Sequence, residues 1–297
     1  MAEICPVFSA ERLLLATDAS LHSEGAIREA IRLAKQCGST LEAISVIETN
    51  PEYEALAPKS IEKAEKAARE HLDAVAGRAK SEGVSCSVAV LEGEDSYRSV
   101  VDEAVKQKTT MIVMGRRGRT GLKRLVMGST TARVIGHAPC TVLVVPRAAT
   151  VEFKSVVVAT DGSRYSAAAA SEAIGIAKRN GSKLTVVAVV PAEIATPTDV
   201  DFVADRRELI AEREMQEAEK NAKAVKEAAA KEQVNVKAFV MTGKPADAIM
   251  EAAKDANADL VVVGSHGRTG LEKLLMGSVA ERVIVLASSA VLVVKGK

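Results

Sequence analysis

One stretch of sequence occurs twice and decides how the chain is organised: MIVMGRRGRTGLKRLVMGS at 111–129 and LVVVGSHGRTGLEKLLMGS at 260–278. Each copy opens with a short apolar run, which predicts a buried strand that stops at Gly115 or Gly264. Each copy closes with Gly-Ser, where we expect the following helix to begin. Because the whole pattern recurs, the sequence predicts a duplicated domain.

Segments on both sides of this stretch are duplicated as well. RLLLATDAS at 12–20 reappears as SVVVATDGS at 155–163, and CTVLVVPR reappears near the end as AVLVVKGK. The repeat is about 145 residues long, whereas the units of solenoid proteins are much shorter. We therefore predict two domains, 1–149 and 150–297, an ordinary size for a chain of 297 residues.

The composition excludes several classes of function. Lys and Arg total 40 and Asp and Glu 39, so a net charge of +1 provides no overall attraction to nucleic acid or to an anionic membrane. Only 2% of the residues are aromatic, which excludes stacking platforms for single-stranded nucleic acid and predicts an aliphatic core. The cysteines lie singly, so we expect neither a disulfide scaffold nor a zinc site: Cys5, Cys37, Cys86 and Cys140.

Strands and helices alternate in both copies. Apolar runs of strand length are separated by segments with apolar residues every three or four positions, and Gly38 and Gly181 end the first helix of each copy. This alternation predicts an α/β fold whose parallel sheets are covered by helices on both faces. The N-terminus lacks a signal-peptide pattern and no apolar run reaches about 20 residues, so we expect a cytoplasmic protein without a membrane span.

The glycine loop is the strongest chemical signal. A parallel strand that ends at Gly115 or Gly264 places the loop at the carboxyl edge of the sheet, where open α/β folds bind ligands. Glycines let backbone N–H groups approach a phosphate, and the N-terminus of the next helix favours an anion. Asp18 and Asp161 follow the first strand at the same edge, and could contact a ribose or a cation. The alternatives are that the glycines only permit close packing and that the aspartates only cap a helix.

Together, the TDxS turn, the GRTGL loop, the GS pair and the closing VLVV strand resemble universal stress protein domains of the ATP-binding type over nearly the whole chain. The resemblance implies an adenine nucleotide alpha hydrolase-like fold, with a five-stranded parallel sheet in order 3-2-1-4-5 in each copy. It implies that Asp18 and Asp161 face ribose and phosphates, with any Mg²⁺ close by, and that Val46 and Val189 hold adenine through their backbones. It also implies a cradle for ribose and phosphates formed by Gly115, Gly118, Gly128, Ser129 and the N–H of Thr130 in copy one, and by Gly264, Gly267, Gly277, Ser278 and the N–H of Val279 in copy two.

The two copies differ around this loop. GKPADAI at 243–249 is close to the family pattern, whereas copy one has GEDSYRSV there, with Glu94 and Asp95 able to repel a phosphate if they point inward. The loop charges favour the opposite site, because copy one is strongly basic and copy two is mixed. The charged and polar loop residues are Arg116, Arg117, Arg119, Lys123 and Arg124 in copy one, and Ser265, His266, Arg268, Glu272 and Lys273 in copy two.

Two classes of function stay open: a regulatory protein that binds ATP with slow or no hydrolysis, and an ATPase or nucleotidyl or phosphoryl transferase. The sequence favours the first, because no acid or histidine is evident that could orient a water. The family resemblance further implies that the closing strands of the two copies pair within one chain as a pseudo-dimer, and a homodimer of chains is a further expectation.

The remaining candidates are weaker. His22, His71 and His137 have no acidic or cysteine partner at metal-ligand spacing, and Cys140 is interpreted as core filler. The charged helical segments 59–82 and 205–233 are interpreted as solvated faces that pack an Ala-rich stripe on the sheet.

Overall fold

The computed structural model divides the chain into two compact units, Met1–Thr150 and Val151–Lys297. For residues 53, 54 and 201–208 it describes the backbone alone. The described residues are 5–7, 10–118, 126–192, 201–268 and 276–296.

Unit 1, Met1–Thr150, is built on a sheet of five strands. These are β1 Arg12–Ala16, β2 Thr40–Glu48, β3 Cys86–Gly93, β4 Met111–Gly115 and β5 Thr141–Val145. Within the unit they lie in the order β3-β2-β1-β4-β5, and each neighbouring pair is parallel. The strand order that the resemblance implied is therefore confirmed.

Helices connect these strands and cover both faces of the sheet. Right-handed crossovers place the helices that follow β1 and β2 on one face, and those that follow β3 and β4 on the other. The helices of unit 1 are α1 Glu24–Cys37, α2 Pro51–Leu56, α3 Pro58–Ser81, α4 Ser96–Lys106 and α5 Ser129–His137.

Unit 2, Val151–Lys297, repeats this architecture. Its strands lie in the order β8-β7-β6-β9-β10, again with parallel neighbours. The strands are β6 Ser155–Ala159, β7 Lys183–Pro191, β8 Val236–Gly243, β9 Leu260–Gly264 and β10 Ala290–Val294. The helices are α6 Arg164–Asn180, α7 Asp201–Lys231, α8 Pro245–Asp255 and α9 Ser278–Leu286.

The central strands form an aliphatic core, as the low aromatic content predicts. Leu14 in β1 and Ile112 in β4 are fully buried, and so are Val157 in β6 and Val261 in β9. Strands buried on both faces are continuous apolar runs because helices exclude water from each side of a parallel sheet. The Ala-rich stripes of α3 and α7 pack on the sheet as predicted, with Ala68, Leu72 and Ala79 buried in one helix and Ala218, Ala222 and Ala229 in the other.

Two of the four cysteines depart from the expectation drawn from their spacing. Cys5 and Cys37 form a disulfide in unit 1, with Cα atoms 4.2 Å apart, whereas Cys86 and Cys140 are free thiols. The spacing could not reveal this pair, because the N-terminal segment is brought to the end of α1 only by the fold. The described residues contain no cluster of His, Cys, Asp and Glu that could hold a metal ion.

The longest helix, α7, spans Asp201–Lys231 and is rich in charged residues. None of the helices in the described part of the chain is long and apolar enough to cross a membrane.

Candidate functional site

A cleft opens at the carboxyl ends of β6, β7 and β9 in unit 2. Its volume is about 340 Å³, within the range of small-molecule sites. This edge is where open parallel sheets bind ligands, because helix N-termini and loops converge there. All seven residues that the sequence singled out in copy two line the cleft: Asp161, Val189, Gly264, Gly267, Gly277, Ser278 and Val279.

Asp161 is held rigidly in the turn between β6 and α6. Its Oδ1 accepts a hydrogen bond from the backbone N–H of Ser163 at 2.9 Å, and its Oδ2 accepts one from the backbone N–H of Arg268 at 2.8 Å. Burial raises the pKa of Asp161, but hydrogen bonds from Ser163, Ser166 and Arg268 outweigh it, so the pKa lies below its usual value. Asp161 is therefore an ionised carboxylate at neutral pH.

The alternative role of Asp161 as a helix cap is wrong. The N-cap of α6 is Ser163, whose side chain accepts a hydrogen bond from the backbone N–H of Ser166 at 3.1 Å. Asp161 instead ties the turn to the glycine loop, which leaves the helix cap to serine.

The glycine loop approaches this turn more closely than a side chain would allow. A Cβ on Gly267 would lie 2.8 Å from Oδ2 of Asp161, and a Cβ on Gly264 would lie 2.7 Å from the backbone carbonyl carbon of Tyr165. Gly277 precedes the first residue of α9, Ser278, and its N–H donates to the carbonyl of Ser265 at 2.9 Å. The positive end of the α9 dipole therefore points into the cleft, where it would favour an anion.

The backbone of β7 extends past the end of its neighbour β6. The N–H of Thr160 donates to the carbonyl of Val187 at 2.9 Å, immediately after β6 ends at Ala159. Because backbone polar groups alternate in direction along a strand, those of Val189 point to the same side as those of Val187. They face the cleft at a place where β6 no longer runs beside them. Val187, Ile249 and Val263 supply apolar walls nearby.

The helix α7 contributes a polar stripe that the sequence interpretation missed. Glu214, Ala218 and Asn221 lie on one face of α7 and line the cleft. Both oxygens of Glu214 accept hydrogen bonds from Nη2 of Arg268, at 2.9 and 2.8 Å. Asn221 is so close to the turn that a Cβ on Gly162 would lie 2.6 Å from its Nδ2. The sequence does contain a signal for this stripe, because Glu214 and Asn221 are two polar residues at one edge of the Ala-rich stripe of α7.

His266 also lines this cleft. Its Nδ1 lies 3.1 Å from Oγ of Ser265, and its ring packs 5.1 Å from the ring of Tyr165. The loop residues Glu272 and Lys273 lie outside the described residues.

Unit 1 repeats the frame of this site. Oδ1 of Asp18 accepts a hydrogen bond from the N–H of Ser20 at 3.1 Å, and a Cβ on Gly118 would lie 2.7 Å from Oδ2 of Asp18. The N–H of Gly128 donates to the carbonyl of Arg116 at 3.0 Å. A Cβ on Gly115 would lie 2.8 Å from the backbone oxygen of His22. These contacts correspond to those of Asp161, Gly267, Gly277 and Gly264 in unit 2.

The remaining predicted residues of unit 1 occupy matching positions. Ser129 begins α5, followed by Thr130, and the N–H of Thr17 donates to the carbonyl of Ile44 at 3.0 Å, two residues before Val46. As for Val189, the backbone groups of Val46 point to the side on which the neighbouring strand has ended.

Basic side chains stand close together in the unit 1 loop. Burial and the nearby charge of Arg117 lower the pKa of Arg116, so a negative group here would relieve the repulsion between the two guanidinium groups. The other basic residues of this loop, Arg119, Lys123 and Arg124, lie outside the described residues.

His71 takes the place in unit 1 that Asn221 has in unit 2. Its Nε2 lies 2.9 Å from Oγ1 of Thr17, which donates to Oγ of Ser23, which in turn donates to the carbonyl of Ser20. Since the proton of Thr17 is directed to Ser23, the Nε2–H of His71 is the donor to Thr17. His71 was weighed in the sequence only as a metal ligand, and its hydrogen bond to Thr17 was not predicted.

Asp95 does not point freely toward a phosphate. Its carboxylate pairs with Arg98 and with Arg133, each at 3.2 Å, and both guanidinium groups also lie over the ring of Tyr97. The predicted repulsion between Asp95 and a phosphate is thus offset by the positive charges of Arg98 and Arg133.

Comparison with known proteins identifies the repeated domain. The sequence profile described as "Universal stress protein family" matches residues 10–146 and 152–295. A universal stress protein of Methanocaldococcus jannaschii is 40% identical over 145 residues, which are 48% of this chain and 82% of that protein. A universal stress protein of Mycobacterium tuberculosis is 33% identical over 64% of this chain, and the alignment spans 63% of that protein's length.

The fold also matches a solved structure over its full length. The crystal structure of a universal stress protein from Archaeoglobus fulgidus covers 98% of this chain and 98% of its own, with a TM-score of 0.73 and 22% identity. At that identity the likeness concerns the fold.

Proposed function

Because the chain belongs to the universal stress protein family, we propose that it is a regulatory protein that binds ATP and hydrolyses it slowly or not at all. The observation that carries this proposal is the cleft of unit 2, where seven residues from three separate parts of copy two converge on one cavity. A phosphate site at a helix N-terminus, an ionised carboxylate and an apolar slot beside a strand edge are the elements that a nucleotide requires.

Each part of a nucleotide has a matching surface in the cleft. The apolar walls at Val187, Ile249 and Val263 suit a purine ring, and the backbone groups of Val189 can pair with its edge. The carboxylate of Asp161 is an acceptor for ribose hydroxyl groups. The N–H groups at the start of α9, with the hydroxyl of Ser278, suit phosphates.

A magnesium ion would enter with the nucleotide. Magnesium is bound by oxygen ligands and usually keeps several waters, so one protein carboxylate beside the phosphates is sufficient. Asp161 is ionised and lines the cleft, and Asp18 has the same place in unit 1, so these residues fit that requirement.

Binding is favoured over rapid hydrolysis by the state of the carboxylates. Hydrolysis requires a group that orients water at the terminal phosphate. In this proposal Asp161 is committed to the ribose and any magnesium ion, and both oxygens of Glu214 are engaged by Arg268. Sustained turnover above about 0.1 s⁻¹ would contradict this part of the proposal and support the enzyme alternative, since enzymes typically reach 1–1000 s⁻¹.

Isothermal titration calorimetry with ATP tests the site assignment. Gly277 has ordinary φ, and a Cβ there would lie 3.2 Å from Cα of His266, so Gly277→Val fills the cradle without forbidding the backbone conformation. We expect Gly277→Val to remove binding at unit 2 and Gly128→Val to remove binding at unit 1. Unchanged ATP affinity and stoichiometry in both variants would refute the assignment.

The pairing of the two copies within one chain and the association of two chains stay predictions from the sequence. Light scattering with and without ATP tests the homodimer, and a monomer under both conditions would remove it.

A further inference from the structure

We infer that Glu214 sets the phosphate preference of the unit 2 cleft: by holding Arg268, it keeps that cleft from favouring ATP over AMP. The inference rests on the proposed function, because it concerns the ligand of the same site. Its basis is the ion pair that joins α7 to the glycine loop, a contact that no sequence motif indicates.

The ion pair fixes Arg268 at both of its ends. Its backbone N–H donates to Oδ2 of Asp161, and its guanidinium group binds both oxygens of Glu214 within 2.9 Å. Charge-assisted contacts of this kind are stronger than neutral hydrogen bonds. Glu214 is about one quarter exposed, with a relative side-chain accessibility of 23%, so bulk water screens the pair only in part.

The charges around the cleft make this contact important. Among the described residues that line it, Arg268 is the one side chain with a permanent positive charge, whereas Asp161 and Glu214 both carry carboxylates. Each additional phosphate of a nucleotide would add negative charge beside an arginine that Glu214 already pairs with. We therefore expect the base, the ribose and the first phosphate to supply most of the binding energy at unit 2.

Unit 1 provides the internal contrast. The buried stripes of α3 and α7 match at Ala68 and Ala218, which places Ala64 at the position of Glu214. The acid that neutralises the loop arginine is thus absent from the matching place in unit 1. There the described loop presents Arg116 and Arg117, whose mutual repulsion an anion would relieve.

The test compares AMP and ATP affinities by calorimetry on the full chain carrying Gly128→Val, so that unit 2 is measured. If that variant fails to fold, Asp18→Ala replaces it. We expect ATP and AMP to bind this background within about threefold of each other, and Glu214→Ala to raise ATP affinity about tenfold while AMP changes less than threefold. Glu214→Gln should also raise ATP affinity relative to AMP affinity, since it removes the charge but keeps the size of the side chain.

The matched control is Glu219→Ala, which removes a carboxylate from the exposed face of the same helix. It should change neither affinity by more than about twofold, because exposed charges outside the cleft are screened by salt. Thermal unfolding of each variant shows whether it folds.

A double-mutant cycle assigns the effect to Arg268. Arg268→Gln alone should lower ATP affinity less than about threefold, because the arginine is already engaged by Glu214. In the Glu214→Ala background the same change should remove the gain in ATP affinity. Equal effects of Arg268→Gln in both backgrounds would overturn the inference.

Other results would overturn it as well. A wild-type unit 2 that prefers ATP over AMP by more than about thirtyfold, or a Glu214→Ala variant in which both affinities shift equally, refutes the role of Glu214. A protein that binds neither nucleotide in any variant refutes the proposed function itself, and the two failures are thereby distinguished.

Discussion

Units 1 and 2 have the same frame around different linings. In both, an aspartate in the first turn touches a glycine of the loop, and a helix begins at the serine after the last loop glycine. The walls differ at several matching positions, four of which lie on or next to the flanking helices. Unit 1 has Ala64, His71, Asp95 and Ser99 where unit 2 has Glu214, Asn221, Pro245 and Ile249.

If both units bind a nucleotide as proposed, this difference places any ligand preference in the flanking helices and not in the turn and loop. The duplicated turn and loop are under tight steric constraint, because backbone atoms approach within contact distance there. Residues of the helices that flank the cleft can be substituted without disturbing the sheet. Under the proposed function the two units would share the phosphate cradle, while the wall is apolar at Pro245 and Ile249 in unit 2 and polar at Asp95 and Ser99 in unit 1.

The largest expected effect tests the shared frame. Gly264→Ala and Gly115→Ala each place a Cβ within 2.8 Å of backbone atoms that cannot move cheaply. We expect each to lower the free energy of unfolding by about 1–3 kcal/mol, the usual cost of overpacking. Urea unfolding of the whole chain measures this loss.

The control for these variants is Gly77→Ala in α3, where a Cβ would meet nothing within 4 Å. It should stabilise the chain by about 0.5–1 kcal/mol, since alanine favours a helix interior. If only one of Gly264→Ala and Gly115→Ala lowers the free energy of unfolding, the two frames are not equivalent.

The next effect concerns the apolar wall. Ile249 is 2% exposed and lines the unit 2 cleft, so Ile249→Ser, which introduces the unit 1 residue, should weaken ATP binding there about tenfold. Calorimetry in the Gly128→Val background measures it. The reciprocal Ser99→Ile should strengthen ATP binding at unit 1. If neither substitution changes ATP affinity, the apolar wall does not distinguish the two units.

A smaller effect separates His71 from Asn221. His71→Ala removes the donor to Thr17 and should cost about 1 kcal/mol of unfolding free energy, the usual contribution of a hydrogen bond. Asn221→Ala, at the matching position beside the unit 2 cleft, should cost less. A His71→Ala variant that unfolds at the same denaturant concentration as the unmodified chain would mean that the hydrogen bond to Thr17 does not stabilise unit 1.

The smallest effect lies at Glu42 in β2 of unit 1, where unit 2 has Thr185. Burial and then the charge of Glu103 raise the pKa of Glu42, while Lys106 lowers it in part. Because the folded state favours the protonated form, stability falls as pH rises through this raised pKa. Glu42→Gln should therefore stabilise the chain at pH 7 by up to about 1 kcal/mol.

That gain should vanish in acid, where Glu42 is protonated in both states. Melting temperatures recorded between pH 4 and pH 7 measure the trend. A gain that is independent of pH would show that the charge of Glu42 is not its cause.

Much of the fold and part of the site could be predicted from the sequence. Gly115 and Gly264 marked the strand ends, and Ser129 and Ser278 marked the helix starts, because these are local preferences of the backbone. The strand order came from family resemblance and is confirmed. The disulfide between Cys5 and Cys37 was not predicted, because spacing along the chain says little about distance in space.

The sequence by itself determined the two copies, their α/β alternation and the loop and turn residues that form the shared frame. Only the tertiary structure decided that Glu214 binds Arg268, that His71 joins Thr17, and that Asp95 is neutralised by Arg98 and Arg133. The physical reason is that α3 and α7 carry charged residues around much of their circumference. The Ala-rich stripe predicts which face packs on the sheet, but the position of each helix on the sheet decides which residues beside Ala68 and Ala218 reach the cleft, and no local pattern specifies that position.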